Sequence, residues 1–462
     1  MTANLDRAPS HTAVLSANIL FLLSAFPYLS PVNFGIDTQP YALIFSILIA
    51  YLALADRSVL DIPGTLVWLL LIFFYASCLF AFSPDKLNAG KSLAGYATLF
   101  FVTYASYRSV KNVQIKWFNL SVYLWLFFGV AQVVIGRHFG SFLLPRMTTS
   151  DTRGVTSLAV EPSYYAIICV FLLVLNDAFQ AIGKQEKKQH LRIMLLLILQ
   201  MLITFSGIGF LFLMIYLMGN TLAIVVREGL VKRAPRLLLL GLLALIAFAS
   251  FTMIPALEYS RAGRILEGMS GNTTGLLFFD GSIASRVTAA ILPIYSFFYS
   301  HGLGLGLGTW SSNYQAISHY AGGAVETISQ VGYTQSTDAA RIMSGWGTAV
   351  FELGIAGVLL IAIFIGSIIR GANQTGKISS VFISSGFTIF VLMFMAVPLT
   401  YPLFSYVLGL YLYYGHPLNG KRLSHHSPLA ARRRGSARFR PQPGGIFARG
   451  SVHDPARRKI RR

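Results

Sequence analysis

The sequence predicts an all-α polytopic membrane protein of about 12 transmembrane helices, with both termini inside and a large, partly helical external loop. The chain is 55% hydrophobic and only 12% charged, and its mean hydropathy is +0.62. Soluble proteins carry roughly 25% charged residues. The apolar residues also fall into long runs that approach the roughly 20 residues needed to cross a bilayer. A lipid environment therefore suits this composition better than water.

These apolar runs define the candidate spans. The first run follows a short start in which Arg7 is the only basic residue, and we expect it to be retained as a span. The run 193–226 is too long for one crossing, so we predict a break at 205–207, with one long tilted helix as the alternative. The candidate spans are 12–30, 40–55, 63–82, 92–107, 117–136, 162–182, 193–205, 208–226, 237–254, 344–369, 379–397 and 399–415.

Positive charge in the short loops predicts the orientation. One alternating set carries 14 Lys and Arg residues, and this set comprises 56–62, 108–116, 183–192, 227–236 and 370–378. The opposite set carries five such residues, and it comprises 31–39, 83–91 and 137–161. Because Lys and Arg favour cytoplasmic loops, the first set is predicted to face the cytoplasm. An even number of spans then places both termini inside.

Composition divides the chain into two parts. Residues 1–415 form the predicted membrane domain, which includes a large external loop at 255–343. Residues 416–462 hold 13 Lys and Arg but a single acid, so we predict a basic, disordered cytoplasmic tail. Such a tail suits anionic lipid headgroups, and no nucleic-acid-binding motif accompanies it. Deletion of 420–462 is expected to leave the activity intact.

The common soluble catalytic motifs are missing from the sequence. There is no HExxH, CxxC, phosphate loop or dinucleotide fingerprint, so neither a cofactor nor a metal is predicted. Arginine instead stands out in the predicted external loops. Its guanidinium suits phosphate oxygens, which predicts an anionic ligand at the outer surface. Pairing with loop acids or lipid headgroups is the alternative for these arginines, which are Arg137, Arg146, Arg153, Arg261, Arg264, Arg286 and Arg341.

Four segments in order resemble the bacterial exopolysaccharide and O-antigen polymerases. They are RGV at 153–155 with EPSYYA at 161–166, LITFSGIG at 202–209, SR at 285–286 with HGLGLGLG at 301–308, and SGWGTAVFELGIAG at 344–357. Gly207 stands where the family often has arginine. The related O-antigen ligases have a His-Asn pair where this chain has Met343 and Ser344. The resemblance covers about 90–415 and favours a polymerase over a ligase.

The resemblance implies a glycosyltransferase that joins oligosaccharide repeat units carried on undecaprenyl pyrophosphate. It implies a multi-pass protein of the bacterial inner membrane that acts at the periplasmic face and needs no cofactor. Its partners would be the lipid-linked glycans, membrane lipids, a chain-length regulator and other polysaccharide-assembly proteins. The implied catalytic residues are Glu161, Arg153, Arg286 and Asp338. The implied substrate-binding residues are Arg341, Arg146, Gly304, Gly306, Gly308, Tyr164 and Tyr165.

Several alternatives remain open at this stage. An O-antigen-type ligase and a polysaccharide flippase or transporter are the competing functions. A carboxylate at Glu161, just before Pro162, also suits the start of a helix. The tyrosines suit an interfacial aromatic belt. Glu352, an acid inside an apolar stretch, is expected to cap a helix or to form a hydrogen bond between helices.

Overall fold

The structure is a computed structural model, and it describes residues 10–32, 38–55, 63–148, 154–228, 281–335, 342–373 and 377–415. The ninth candidate span (237–254), the tail, and the predicted site residues Arg153, Asp338 and Arg341 lie outside the described residues. Within these ranges, every long regular element is an α-helix. The all-α class is therefore confirmed for this part of the chain.

The described residues form fifteen α-helices, numbered here in chain order. They are α1 (His11–Ala25), α2 (Tyr41–Ala55), α3 (Gly64–Phe82), α4 (Lys86–Ser109), α5 (Ile115–Val134), α6 (Pro162–Ala181), α7 (Lys187–Ile203), α8 (Gly207–Glu228), α9 (Gly281–Tyr299), α10 (Trp310–Ala321), α11 (Gly323–Gln335), α12 (Gly345–Leu353), α13 (Ile355–Ala372), α14 (Lys377–Met395) and α15 (Pro402–Gly415). Short 3₁₀ helices at Val110–Asn112 and Ser141–Leu143 join some of them.

Four of the described helices, α3, α5, α6 and α13, are long and apolar enough to cross a membrane. Shorter apolar helices occupy His11–Ala25, Tyr41–Leu54, Gly209–Ala223 and Ser379–Met395. The outward faces of the outer helices are apolar too, with Trp68 and Phe74 of α3 at least half exposed. Contiguous apolar surface of this kind is unfavourable in water. These apolar faces are therefore better suited to contact with lipid than with water.

Two predicted helix boundaries have different outcomes. The break predicted at 205–207 is confirmed, because α7 ends at Ile203, α8 begins at Gly207, and Phe205 between them has a φ of +41°. The candidate span 344–369 is wrong as a single helix. It divides into α12 and α13 at Gly354, whose φ of +56° and ψ of −122° are not helical. Only glycine adopts such a conformation without strain.

Helices α4, α6 and α15 form the buried centre of the described bundle. Helix α6 is buried along most of its length, and so is α15. Helices α4 and α15 approach closely, since a Cβ at Gly409 would lie 2.5 Å from the carbonyl oxygen of Thr103. The hydroxyl of Ser106 donates to the carbonyl oxygen of Tyr406 at 2.7 Å, which ties the same two helices. These central helices contribute their first turns to the site described next.

The described part of the large loop is helical, as predicted. Helices α9, α10 and α11 pack on one another, and α9 also packs on α12. Their shared core includes Leu292, Trp310, Tyr314 and Phe351, with the Trp310 ring edge-on to Phe351 at 5.0 Å. This part of the loop is thus folded onto the start of α12.

Candidate functional site

The first two motif segments are in direct contact although about 40 residues separate them. The N–H of Val155 donates to the carbonyl oxygen of Ile203 at 3.4 Å. A Cβ at Gly154 would lie 1.7 Å from the carbonyl oxygen of Thr204, so only glycine fits there. A Cβ at Gly209 would lie 3.0 Å from that of Ala166. The segment that precedes and opens α6 therefore packs against the break between α7 and α8.

The last two motif segments also meet. The alternating glycines at 302–308 form a turn, hereafter the glycine turn, in which all four glycines have φ between +70° and +89°. The N–H of Leu305 donates to the carbonyl oxygen of Phe351 at 2.9 Å, and Gly302 accepts from the N–H of Ile355 at 2.8 Å. A Cβ at Gly304 would lie 2.5 Å from the carbonyl oxygen of Glu352. The glycines allow the turn to lie directly against the end of α12.

Glu352 joins the glycine turn to α4. Its Oε1 accepts hydrogen bonds from the Ser92 hydroxyl at 2.6 Å and from the Gly308 N–H at 2.9 Å. Its Oε2 accepts one from the Tyr96 hydroxyl at 3.0 Å. The side chain is buried, and a buried carboxylate needs such donors. The hydrogen bond predicted between helices is confirmed.

The first turn of α4 is fixed by an N-terminal cap. An Asp85 carboxylate oxygen accepts a hydrogen bond from the Asn88 N–H at 3.1 Å. This bond holds the pKa of Asp85 below its ordinary value, because it favours the ionised carboxylate. The next turn carries Ser92, so the cap and Glu352 together set the position of the α4 N-terminus.

A cavity of about 230 Å³ lies among the helix ends that these contacts bring together. Its walls come from the start of α2, the first turns of α4, α6, α12 and α15, the glycine turn, and the connection before α15. The lining comprises Tyr28, Thr38, Gln39, Pro40, Ala42, Leu43, Asn88, Lys91, Ser92, Ala94, Gly95, Thr98, Tyr164, Gly308, Trp310, Ile342, Met343, Thr348, Glu352, Pro398, Leu399, Thr400 and Pro402. All these segments belong to the side of the bundle that the loop charges predict to be external.

Two of the predicted substrate-binding residues line this cavity. Tyr164 stands on the first turn of α6, where its hydroxyl donates to the sulfur of Met343 at 3.3 Å. Gly308 lies at the end of the glycine turn. Gly304 and Gly306 shape the turn without being part of the lining. Tyr165 is fully buried, and its hydroxyl bonds to the Trp125 carbonyl oxygen and to Gln200.

Of the predicted charged residues, the structure describes Glu161, Arg286 and Arg146, and none of these three is in the cavity lining. Glu161 stands at the N-cap of α6 but makes no capping hydrogen bond; its carboxylate accepts from the Ser163 hydroxyl at 3.4 Å. Arg286 is half-buried on α9, and Arg146 is exposed. Ala289 follows Arg286 by three residues on α9. A Cβ at Gly347 on α12 would lie 2.6 Å from the carbonyl oxygen of Ala289. Helix α9 thus brings Arg286 close to the start of α12.

Sequence reasoning missed most of the cavity lining. Its polar residues include Gln39, Asn88 and Thr400, which belong to no motif. Glu352 carried one signal, an acid in an apolar stretch, which is a general mark of function in membrane proteins. Its partners could not be foreseen, because Ser92 lies 260 residues away along the chain.

A second polar cluster lies further along α6. Asp177 accepts a hydrogen bond from the Tyr216 hydroxyl at 2.7 Å and contacts the His190 ring at 2.9 Å. Asp177 follows the cavity residue Tyr164 by 13 residues, which is about 20 Å along a helix. This cluster is therefore remote from the cavity.

Comparison of the sequence with protein-family models and with curated proteins gives no match.

Proposed function

We propose that this chain is a membrane polysaccharide polymerase of the bacterial inner membrane. It joins undecaprenyl-pyrophosphate-linked oligosaccharide repeat units at the periplasmic face. The observation that carries the proposal is the contact between the four motif segments. They pair as 154–155 with 203–204 and as 302–306 with 351–355. Tyr164 and Met343 then connect the two pairs at the cavity wall. Three of the four motif segments line this cavity, through Tyr164, Gly308 and Glu352, which supports it as the place of the chemistry.

The proposed reaction is a glycosyl transfer from the pyrophosphate carrier. A hydroxyl oxygen of the acceptor repeat unit forms a bond to the anomeric carbon of the donor glycan. The bond from that carbon to the pyrophosphate breaks, and the pyrophosphate leaves with the electron pair. The hydroxyl proton passes to a carboxylate, for which Glu161 is our choice. The position of Glu161 at the N-terminal end of α6 supports this role, because Glu161 is three residues from Tyr164, which lines the cavity.

Arg286 is proposed to stabilise the leaving pyrophosphate. A fixed guanidinium binds phosphate oxygens through paired N–H groups, and its effect is largest where negative charge develops in the transition state. The approach of α9 to the start of α12 supports this assignment. Arg153 and Arg341 are proposed to share this task, and Asp338 is the second choice as base.

A polymerase is favoured over a ligase by the residue at the cavity wall. Met343 stands where the ligases resembled by this chain have histidine, and it lines the cavity. A thioether accepts no proton at neutral pH, so this position does not supply a base. Ser344 takes a structural role instead, because its hydroxyl caps α12 by accepting from the Gly347 N–H at 2.8 Å.

The test is substitution of Arg286 in the native host. R286A is expected to insert normally, to accumulate single lipid-linked repeat units, and to slow polymer formation by about 100-fold, as the loss of one transition-state donor does. R286K should retain only part of the rate, because an ammonium lacks the planar fork. The measurement is the length distribution of carrier-linked glycans, and R370A is the matched control. Arg370 donates to the Thr65 hydroxyl at the end of α13, away from the cavity.

Three outcomes would contradict the proposal. Full-length polymer in R286A would show that Arg286 is not a catalytic residue. Long polymer that stays on its carrier would indicate a ligase. Repeat units trapped on the cytoplasmic side would indicate a flippase.

A further inference from the structure

The cavity is nearly free of charge, which sets it apart from a pyrophosphate site. Among its lining residues, Lys91 and Glu352 are the only ones of the Lys, Arg, Asp and Glu types. Lys91 is exposed at the rim, whereas Glu352 is buried. A buried carboxylate repels a phosphate group strongly, because a low dielectric medium screens little. The lining also offers a phosphate group no arginine, so it suits an uncharged ligand better than an anionic one.

Glu352 has room for one more hydrogen-bond donor. An ionised carboxylate offers about four acceptor positions. Oε1 accepts from Ser92 and Gly308, and Oε2 accepts from Tyr96 alone. A ligand hydroxyl can complete this set. Asn88, Thr98 and Thr348 also line the cavity and supply further polar groups.

Three aromatic side chains complete the lining. Tyr28 and Tyr164 lie with their ring centroids 5.6 Å apart, and Trp310 stands next to the glycine turn. Aromatic rings combine an apolar face with a polar edge. A sugar ring has a matching surface, with C–H groups on its faces and hydroxyls around its edge. The volume of about 230 Å³ is below the roughly 300–1,000 Å³ of sites for drug-sized ligands, which suits a ligand the size of a monosaccharide.

We infer that this cavity is the acceptor subsite, in which a neutral terminal sugar donates a hydroxyl hydrogen bond to Glu352. The inference rests on the proposed function for the identity of the glycan. The donor sugar does not suit the cavity, because it is joined directly to pyrophosphate and would bring negative charge next to Glu352. The terminal sugar of the acceptor is the part of that molecule furthest from its own carrier. Glu352 is thus a specificity-determining residue.

The test measures binding without catalysis. The probe is the methyl glycoside of the repeat unit of the host polysaccharide, which carries neither lipid nor phosphate. It is titrated by calorimetry into the full-length protein in lipid nanodiscs. We expect binding to the wild type and a loss of at least about tenfold in affinity in E352Q, the order expected when a charged acceptor is replaced. A94L, which fills the cavity without changing a Glu352 partner, should abolish binding.

The control is D177N in the remote cluster, which should bind the probe as the wild type does. Thermal melting of each variant establishes that it is folded, so A94L keeps the test decisive if E352Q does not fold. Equal affinity in the wild type and A94L would overturn the inference, as would displacement of the probe by inorganic pyrophosphate. Probe binding that depends on Ala94 and Glu352, together with repeat units trapped on the cytoplasmic side in R286A, would support the sugar site and refute the polymerase assignment.

Discussion

The two ends of α6 use polar residues in opposite ways. At its N-terminal end, polar groups such as Ser92 and Glu352 stand around an open cavity. At its C-terminal end, the polar groups form hydrogen bonds within the protein. Asp177 contacts both His190 and Tyr216, and the Lys184 amino group donates to the carbonyl oxygens of Val110, Lys111 and Val113 at 2.8–3.0 Å.

We therefore expect the two ends of α6 to have different roles, one in ligand binding and the other in stability. We call the two regions the cavity end (the lining residues of the cavity) and the closed end (Asp177, Lys184, His190 and Tyr216). The contacts of Asp177 with His190 and Tyr216 tie α6 to α7 and α8 at the closed end. The cavity end keeps acceptor capacity on Glu352. Substitutions at the cavity end should therefore change activity, whereas those at the closed end should change stability alone.

The largest expected effect comes from G304A in the glycine turn, which contributes Gly308 to the cavity end. Gly304 has a φ of +81°, and a Cβ there would lie 2.5 Å from the Glu352 carbonyl oxygen. The backbone conformation alone costs an alanine roughly 1–3 kcal/mol, and the contact would push the glycine turn away from α12. We expect loss of polymer in cells and a lower melting temperature of the purified protein.

The matched control for G304A is G366A on α13. A Cβ at Gly366 would meet no atom within 4 Å, and alanine favours a helix over glycine by about 1 kcal/mol. This variant should be at least as stable as the wild type and fully active. Normal polymer length in G304A would show that the glycine turn does not shape the site.

A smaller effect is expected from K184M at the closed end. The substitution removes three hydrogen bonds to carbonyl oxygens, so we expect a modest loss of stability with unchanged polymer length. Burial lowers the pKa of Lys184 from 10.5 to about 8. Between these values the unfolded chain binds more protons than the folded protein does. The stability of the wild type relative to K184M should therefore rise as the pH increases from about 8 to 10.5.

The measurement for K184M is thermal melting in nanodiscs at several pH values. K184R is the companion variant, because its guanidinium stays charged over this range and should remove the pH dependence. A polymer of altered length in K184M would break the distinction between the two ends.

The apolar pattern of the sequence predicts ten of the fifteen described helices to within about six residues at each end, because the length of an apolar run is a local property. The break near Ser206 was also predictable from the neighbouring glycines. The division at Gly354 was not predictable, because 344–369 is predominantly apolar and the glycine turn that lies against Gly354 is remote in sequence. The cavity escaped prediction for the same reason. Its walls from 38–43 and 398–402 carry no motif and meet the others only in the fold.

We propose that this protein transfers glycans from a pyrophosphate carrier and that Arg286 stabilises the leaving group. The most direct measurement incubates the purified protein in nanodiscs with undecaprenyl-pyrophosphate-linked repeat units from the host, without a nucleotide sugar or added metal. We expect a ladder of carrier-linked oligomers and release of undecaprenyl pyrophosphate, both strongly reduced in R286A and unchanged in R370A. Intact single repeat units after incubation with the folded wild-type protein, or equal ladders from R286A, would contradict it.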